Sequence, residues 1–330
     1  MRKALRRVLA LDANLLQLVL LALLVFALMT ALVPDKFLRP YNLISITYIA
    51  PELGLLAIAM MVAMLTGGID LSVIGIANLG GILAGLFFHA YGGARGPGLA
   101  AMGALPVAAG IAIAVATGLI AGAINGFLIA RLRVTPILAT LGSGQVFTGI
   151  ALVLTGGPAI VGFPDRWTMI GNGAVGGIAL PLIVLLALAG GTALLLGRTA
   201  FGISLVLIGT NAKAAVFAGL RTRRALLLTY VLTGALASVA GILLSARTNA
   251  AKSDYGISYL LQAVLIAVLG GTDPAGGRGS VAGVIVALLA LMLLASGMQL
   301  MRFSNFLVDA MWGVFLLASI ALNAWRTRPR

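Results

Sequence analysis

Apolar runs of about twenty residues recur along the whole 330-residue chain, separated by short polar breaks, and this repetition limits its fold more than any other feature. A helix that crosses a bilayer needs about twenty mostly apolar residues. Ten segments pass that test: 15–33, 43–66, 72–90, 104–129, 136–154, 178–196, 225–245, 256–271, 281–300 and 306–324. The eighth is short and ends in Gly270-Gly271, so a re-entrant segment is the alternative there. Composition points the same way. Hydrophobic residues make up 61% of the chain and charged residues 9%, against about a quarter charged in soluble domains. The expected fold is an all-α integral membrane protein with about ten transmembrane helices, forming one domain over residues 1–330.

The basic residues test this count. With a cytoplasmic N-terminus, 15 of the 22 lysines and arginines fall on the inner side, among them Arg2, Lys3, Arg6, Arg7, Arg131, Arg133, Arg198, Lys213, Arg221, Arg223, Arg224, Arg278, Arg326, Arg328 and Arg330. The outer side keeps Lys36, Arg39, Arg95, Arg166, Arg247, Lys252 and Arg302. Cytoplasmic loops and ends carry such an excess. Both termini are basic, which places both in the cytoplasm and requires an even number of spans. The net charge of +14 comes from short clusters between apolar runs and forms no continuous basic face, so nucleic acid is not an expected partner. There is no cysteine, hence no disulfide framework and no thiolate metal site. The first apolar run lacks a small-residue cleavage site and reads as an uncleaved span.

Small residues mark close packing. Gly110, Ala114, Gly118, Gly122 and Gly126 recur every four residues and place a smooth stripe on one face of the fourth span. Gly81 and Gly85 repeat the pattern in the third. The longest outer loop, 155–177, contains Pro158, Pro164 and Trp167. It is expected to be a plain loop, with a structured lip at the membrane surface as the alternative.

Polar groups at membrane depth are few. Glu52 and Asp309 are the acids within spans, neither with an evident basic partner, and Asp70 sits at the Gly67-Gly68 break. An intramembrane acid faces a cavity or a partner, or bonds a neighbouring helix as a structural group. No G-x-x-x-x-G-K-[ST] loop, no HExxH motif and no aspartate cluster occurs, and His89 is the sole histidine. Catalysis, nucleotide binding and a metal site by this chain are therefore not expected.

Between two long apolar segments lies GTNAKAAVFAGLRTRR, residues 209–224. The inner loop around it, 197–224, is too short for a domain but holds one short surface helix with apolar contact residues and a basic tail. It serves either as a solvated loop that fixes topology or as a docking helix that receives force from a soluble partner.

Four stretches decide between these. LTGGIDLSV (65–73), the run INGFLIARLRVTPILATLG…TGIALVLTGG (124–157), the loop pattern of Gly209, Asn211, Ala214, Ala215 and Gly219, and VLGGTDPAGGRGSVAG (268–283) resemble, in order, motifs of the permease subunits of sugar-type ABC importers. That family includes ribose, xylose, galactose and autoinducer-two systems. Departures are Ile74-Gly75, Ala218 and Asp273-Pro274, which leave substrate identity open. The resemblance implies an importer-permease bundle with broken Gly-rich helices in the bacterial inner (plasma) membrane. It implies that residues 209–220 form the coupling helix, seated on a P-loop ATPase subunit that binds the ATP, so the chain itself holds no cofactor. A second permease copy or paralogue and a periplasmic substrate-binding protein complete the set. A path for a neutral polyol would be lined by amides, hydroxyls and aromatics, for which Asn78, Asn125, Gln145, Phe147 and Gln262 are candidates beside Glu52 and Asp70. An ion-coupled secondary transporter and a membrane enzyme are the rival readings.

Overall fold

The structure, a computed structural model, describes residues 13–92 and 97–326. The expectations for Arg2, Lys3, Arg6, Arg7, Arg95, Arg328 and Arg330 lie outside the described residues. In chain order the elements are α1 (Ala13–Leu32), α2 (Pro34–Phe37), α3 (Pro40–Leu65), α4 (Val73–Gly92), α5 (Pro97–Ala100), α6 (Ala104–Ala130) and α7 (Pro136–Thr155). Then come β1 (Ile160–Val161), α8 (Asp165–Asn172), β2 (Ala174–Val175), β3 (Ile178–Ala179), α9 (Leu180–Arg198), α10 (Ala200–Thr210) and α11 (Ala212–Phe217). The last are α12 (Thr222–Thr248), β4 (Ala250–Ala251), α13 (Ile257–Leu269), α14 (Val281–Leu300) and α15 (Asn305–Arg326). Proline occupies the first turn of α2, α3, α7 and α9, where its missing N–H leaves no intrahelical bond unmade.

Each of the ten expected spans coincides with a helix. Eight of these helices are long and apolar enough to cross a membrane, and α15 has a shorter apolar stretch within its 22 residues. The exception in length is α13, whose 13 residues rise only about 20 Å. The chain reaches it through a non-helical segment, 249–256, that turns back alongside α4: the Asn78 amide donates to Ser253 O at 3.0 Å and to Tyr255 O at 2.9 Å. Irregular backbone at this depth is tolerated because a protein side chain satisfies it. Span eight is thus a half-helix preceded by a returning loop.

The axis of the bundle is α3, buried without interruption from Ala50 to Leu65. Around it stand α4, α9, α12, α13 and α14, and α6 packs on α12. The small-residue stripe of α6 meets α12 backbone to backbone: a Cβ on Gly118 would strike Gly234 O, one on Gly122 Tyr230 O, and one on Gly126 Leu227. At the other end of the stripe, Gly110 receives the Phe88 ring. The outward faces of α1 and α7 carry Leu20, Leu23, Leu24, Leu138 and Val153, an apolar surface suited to lipid.

Two expectations about loops are corrected. Segment 197–224 holds two helices: α10, eleven mostly apolar residues, precedes the short α11, and Gly209 belongs to α10. Long 155–177 is a structured lip, not a plain loop. Its β1 pairs antiparallel with β4, β2 pairs with β3, and Trp167 of α8 is fully buried, 5.2 Å from the Phe88 ring and 5.9 Å from Phe163. Aromatic packing of this kind holds a loop that backbone propensity leaves open.

Candidate functional site

One end of the bundle gathers three glycine-rich turns. Gly277 N donates to Leu65 O at 3.0 Å, joining the turn after α3 to the 270–280 turn. A Cβ on Gly209 would strike Leu65 O and Gly277 N, and one on Gly276 would meet Gly209 and Gly67. Backbone touches backbone here, so side chains are excluded; Gly67, Gly276 and Gly277 also have positive φ, which glycine adopts without strain. Arg131, Arg133, Arg198, Lys213, Arg221, Arg223, Arg224 and Arg278 occupy the loops and helix ends on this side, termed the basic end below.

From that contact the chain runs directly into α11. Asn211 caps the helix, its Oδ1 accepting from Ala214 N at 3.0 Å. Gly219, φ +77°, ends it, with Gly219 N on Val216 O (3.0 Å) and Leu220 N on Ala215 O (3.1 Å). Ala215 faces the core, Ala214 is exposed, and Phe217 is 91% exposed. Within the described residues α11 therefore presents an uncovered apolar face. The spacing Gly-x-Asn-x-x-Ala-Ala-x-x-x-Gly is a capped helix of fixed length.

Beside the glycine contact lies a buried polar network. Asp70 Oδ1 accepts from Ser72 N (3.1 Å) and Ser72 Oγ (2.6 Å), and Asp70 Oδ2 from Thr233 Oγ1 of α12 (2.6 Å). Asn125 of α6 donates to Ser72 Oγ at 2.7 Å and accepts from Ser143 of α7 at 2.5 Å. Thr140 donates to Ile69 O and receives Leu71 N, both at 3.0 Å. The non-helical GGID segment is thereby bonded to α6, α7 and α12. Tyr230 Oη, buried beside Gly68, has no partner among the described residues.

A second charged group lies deeper. Arg247, in the last turn of α12, grips Glu52 of α3 with Nη2 at 2.7 Å from Oε1 and Nε at 3.2 Å from Oε2. Tyr259 Oη of α13 donates to the same Oε1 at 2.8 Å. The expectation that Glu52 lacks a basic partner is corrected: Arg247, assigned from sequence to an outer loop, reaches back along α12. Such a carboxylate is neutralised by a bidentate fork and carries no free charge.

The seven expected path residues do not converge. Asp70 and Asn125 share the network, and Asn78 holds the returning loop. Phe147 is buried in α7 near α4, and Gln145 is exposed on the opposite face of α7, flanked by Leu141 and Val146. Gln262 of α13 borders a cavity of about 360 Å³ between α3, α13, α14 and α15, which Tyr259 and Asp309 also line. Arg247 entered the sequence reading only as an outer-loop charge, and Ser72, Thr140, Ser143, Thr233 and Tyr259 escaped it. Their hydroxyls are commonplace in apolar spans, and only the GGID motif hinted where partners would be needed.

The family model described as "Branched-chain amino acid transport system / permease component" matches residues 42–320. The chain belongs to this family. It is 33% identical over 305 residues to the ribose import permease protein of Bacillus subtilis, covering 92% of this chain and 91% of that protein. It is 32% identical over 271 residues to an autoinducer 2 import system permease protein of Yersinia enterocolitica (80% and 78% covered), and 32% identical to its counterpart from Photorhabdus luminescens (81% and 78%). No solved structure matches. The family resemblance read from four motifs is thus confirmed, and the chain is a multi-pass permease component of the bacterial inner (plasma) membrane. The four motifs lie far apart in sequence, yet three meet at the glycine contact and the remaining one supplies Asn125, Thr140 and Ser143 to the adjoining network.

Proposed function

We propose that this chain is the membrane-path subunit of an ATP-driven importer for a small sugar or sugar-like polyol. The whole chain forms one permease domain with its basic end in the cytoplasm. Separate P-loop ATPase subunits bind and hydrolyse the ATP, a periplasmic binding protein delivers the solute, and a second copy or a paralogue of this chain completes the path. The observation that carries the reading is the capped helix α11, set directly on the glycine contact with Phe217 and Val216 uncovered. A helix so short has little stability alone, but its caps and its direct continuation from Gly209 of α10, which touches α3 and the 270–280 turn, let it pass a push to the bundle. Gln145, exposed at mid-span, suits a path or a second permease better than lipid. An ion-coupled carrier is not favoured: Glu52, the acid it would need, is already paired with Arg247.

Purification of the tagged chain from its native membrane in mild detergent, followed by mass spectrometry, tests this. A P-loop ATPase is expected to co-purify, and to be lost in Phe217→Asp while the melting temperature holds, since Phe217 contacts nothing that the fold needs. A lone permease in several detergents, or a Phe217→Asp variant that keeps its ATPase and its uptake, refutes the coupling assignment.

A further inference from the structure

The cavity beside Gln262 has features that no part of the coupling apparatus explains. It measures about 360 Å³, at the lower edge of the ~300–1,000 Å³ typical of small-molecule sites. At roughly 30 Å³ per water-sized group, it accommodates about a dozen such groups, close to the heavy-atom count of a monosaccharide. All its walls come from the half of the bundle opposite the basic end: the first turns of α3, α13 and α15 and the last turns of α14.

Among the described residues the lining mixes polar and apolar side chains and is nearly free of charge. Asn42 and Ser296 stand opposite each other across α3 and α14, Ser296 Oγ donating to Asn42 Oδ1 at 2.7 Å. Gln262 is 7% exposed, yet its amide has no hydrogen-bond partner among the described residues. That amide opens onto the cavity, so a group offering it both a donor and an acceptor is favoured to bind. Trp312, 4% exposed, supplies an aromatic wall, and Asp309 stands on α15 one helical turn away. Among the described residues no lysine or arginine lines the cavity, and the Arg247 guanidinium is held by Glu52, which Tyr259 also contacts. An anionic phosphate headgroup would find no cation there. An acyl chain would pack on Ile46, Ile49 and Leu53 but leave the Gln262 amide without a partner.

We propose that this cavity holds one small polyhydroxylated, uncharged solute within each permease chain, oriented by the Gln262 amide and the Asn42–Ser296 pair and packed on Trp312. The proposal rests on the sugar-importer reading above. It places a stopping point for the solute inside the protomer, separate from any path between two copies.

Radiolabelled ribose is the probe, and its equilibrium binding to the full-length permease in lipid nanodiscs is the measurement. Saturable binding in the millimolar range is expected. It should weaken about tenfold in Gln262→Leu, the loss of roughly one hydrogen bond, and vanish in Ala295→Phe, which fills the space. Leu20→Ala, on the outward face of α1, should bind as the parent does. Melting temperatures within a few degrees of the parent show that the variants fold, and Gln299→Leu, on an exposed side chain of the same wall, serves where they do not. Absence of saturable binding up to about 100 mM overturns the proposal, as does binding that survives both pocket substitutions. A phospholipid seated in the cavity that ribose fails to displace, read by native mass spectrometry, overturns it equally. ATP-dependent ribose uptake by a permease without such binding removes the pocket and leaves the importer reading intact. Failure of any ATPase to associate removes the importer reading, whatever the binding result.

Discussion

At the scale of single residues, burial decides which polar groups the fold depends on. Glu52 is 1% exposed and meets Arg247 and Tyr259, while Arg247 keeps a quarter of its side chain open. The two halves of this pair are therefore not equivalent. Arg247→Met leaves a carboxylate buried and unpaired, which costs on the order of 3–5 kcal/mol, and a sharply lower melting temperature is expected. Glu52→Gln leaves a guanidinium that swings towards solvent, and it should be milder. Adding Glu52→Gln to Arg247→Met should recover most of the loss; thermal melts of the three purified variants give the comparison. Asn125 poses the same question inside the Asp70 network, since both ends of its amide are engaged, by Ser72 and by Ser143. Sequence marked Glu52 and Asn125 as unusual because they are polar within apolar runs. Their partners stayed hidden, because a serine or an arginine near a span end has many possible neighbours and only the packing of four helices selects one.

Helices pack here by the absence of side chains. Gly118, Gly122 and Gly126 bring α6 against α12 so closely that an added Cβ would overlap main-chain atoms. Main chain cannot give way as a flexible side chain does, so Gly122→Leu is expected to destabilise by about 3 kcal/mol or more and to cut the yield of folded protein. Size-exclusion profiles and melting curves in detergent measure it. By contrast Gly142, on the exposed side of α7, has open space around it, and Gly142→Ala should leave both unchanged. The four-residue glycine period was legible in the sequence, because period alone places a stripe on a face. The lip over 155–177 was not, since its order comes from Trp167 and Phe163 packing on Phe88, a contact between distant segments.

For the molecule as a whole, the proposed coupling role requires the basic end to face the cytoplasm. The chain contains no cysteine, so single cysteines report topology without background. A membrane-impermeant maleimide applied to intact spheroplasts is expected to label Lys252→Cys and not Lys213→Cys, and to label both after lysis. The reverse pattern would invert the orientation and remove α11 from the cytoplasm. Hydropathy, the bias of basic residues and four ordered motifs were enough to establish class, span positions and family, because each is a property of residue type and spacing along the chain. Folding in three dimensions settled the rest. It brought the glycine turns of 65–73, 209 and 270–280 into one backbone contact, shortened span eight to a half-helix behind a returning loop, and paired Glu52 with Arg247 across 195 residues. Those outcomes depend on which surfaces meet and which backbone groups need partners, and neither is a property of any single stretch of sequence.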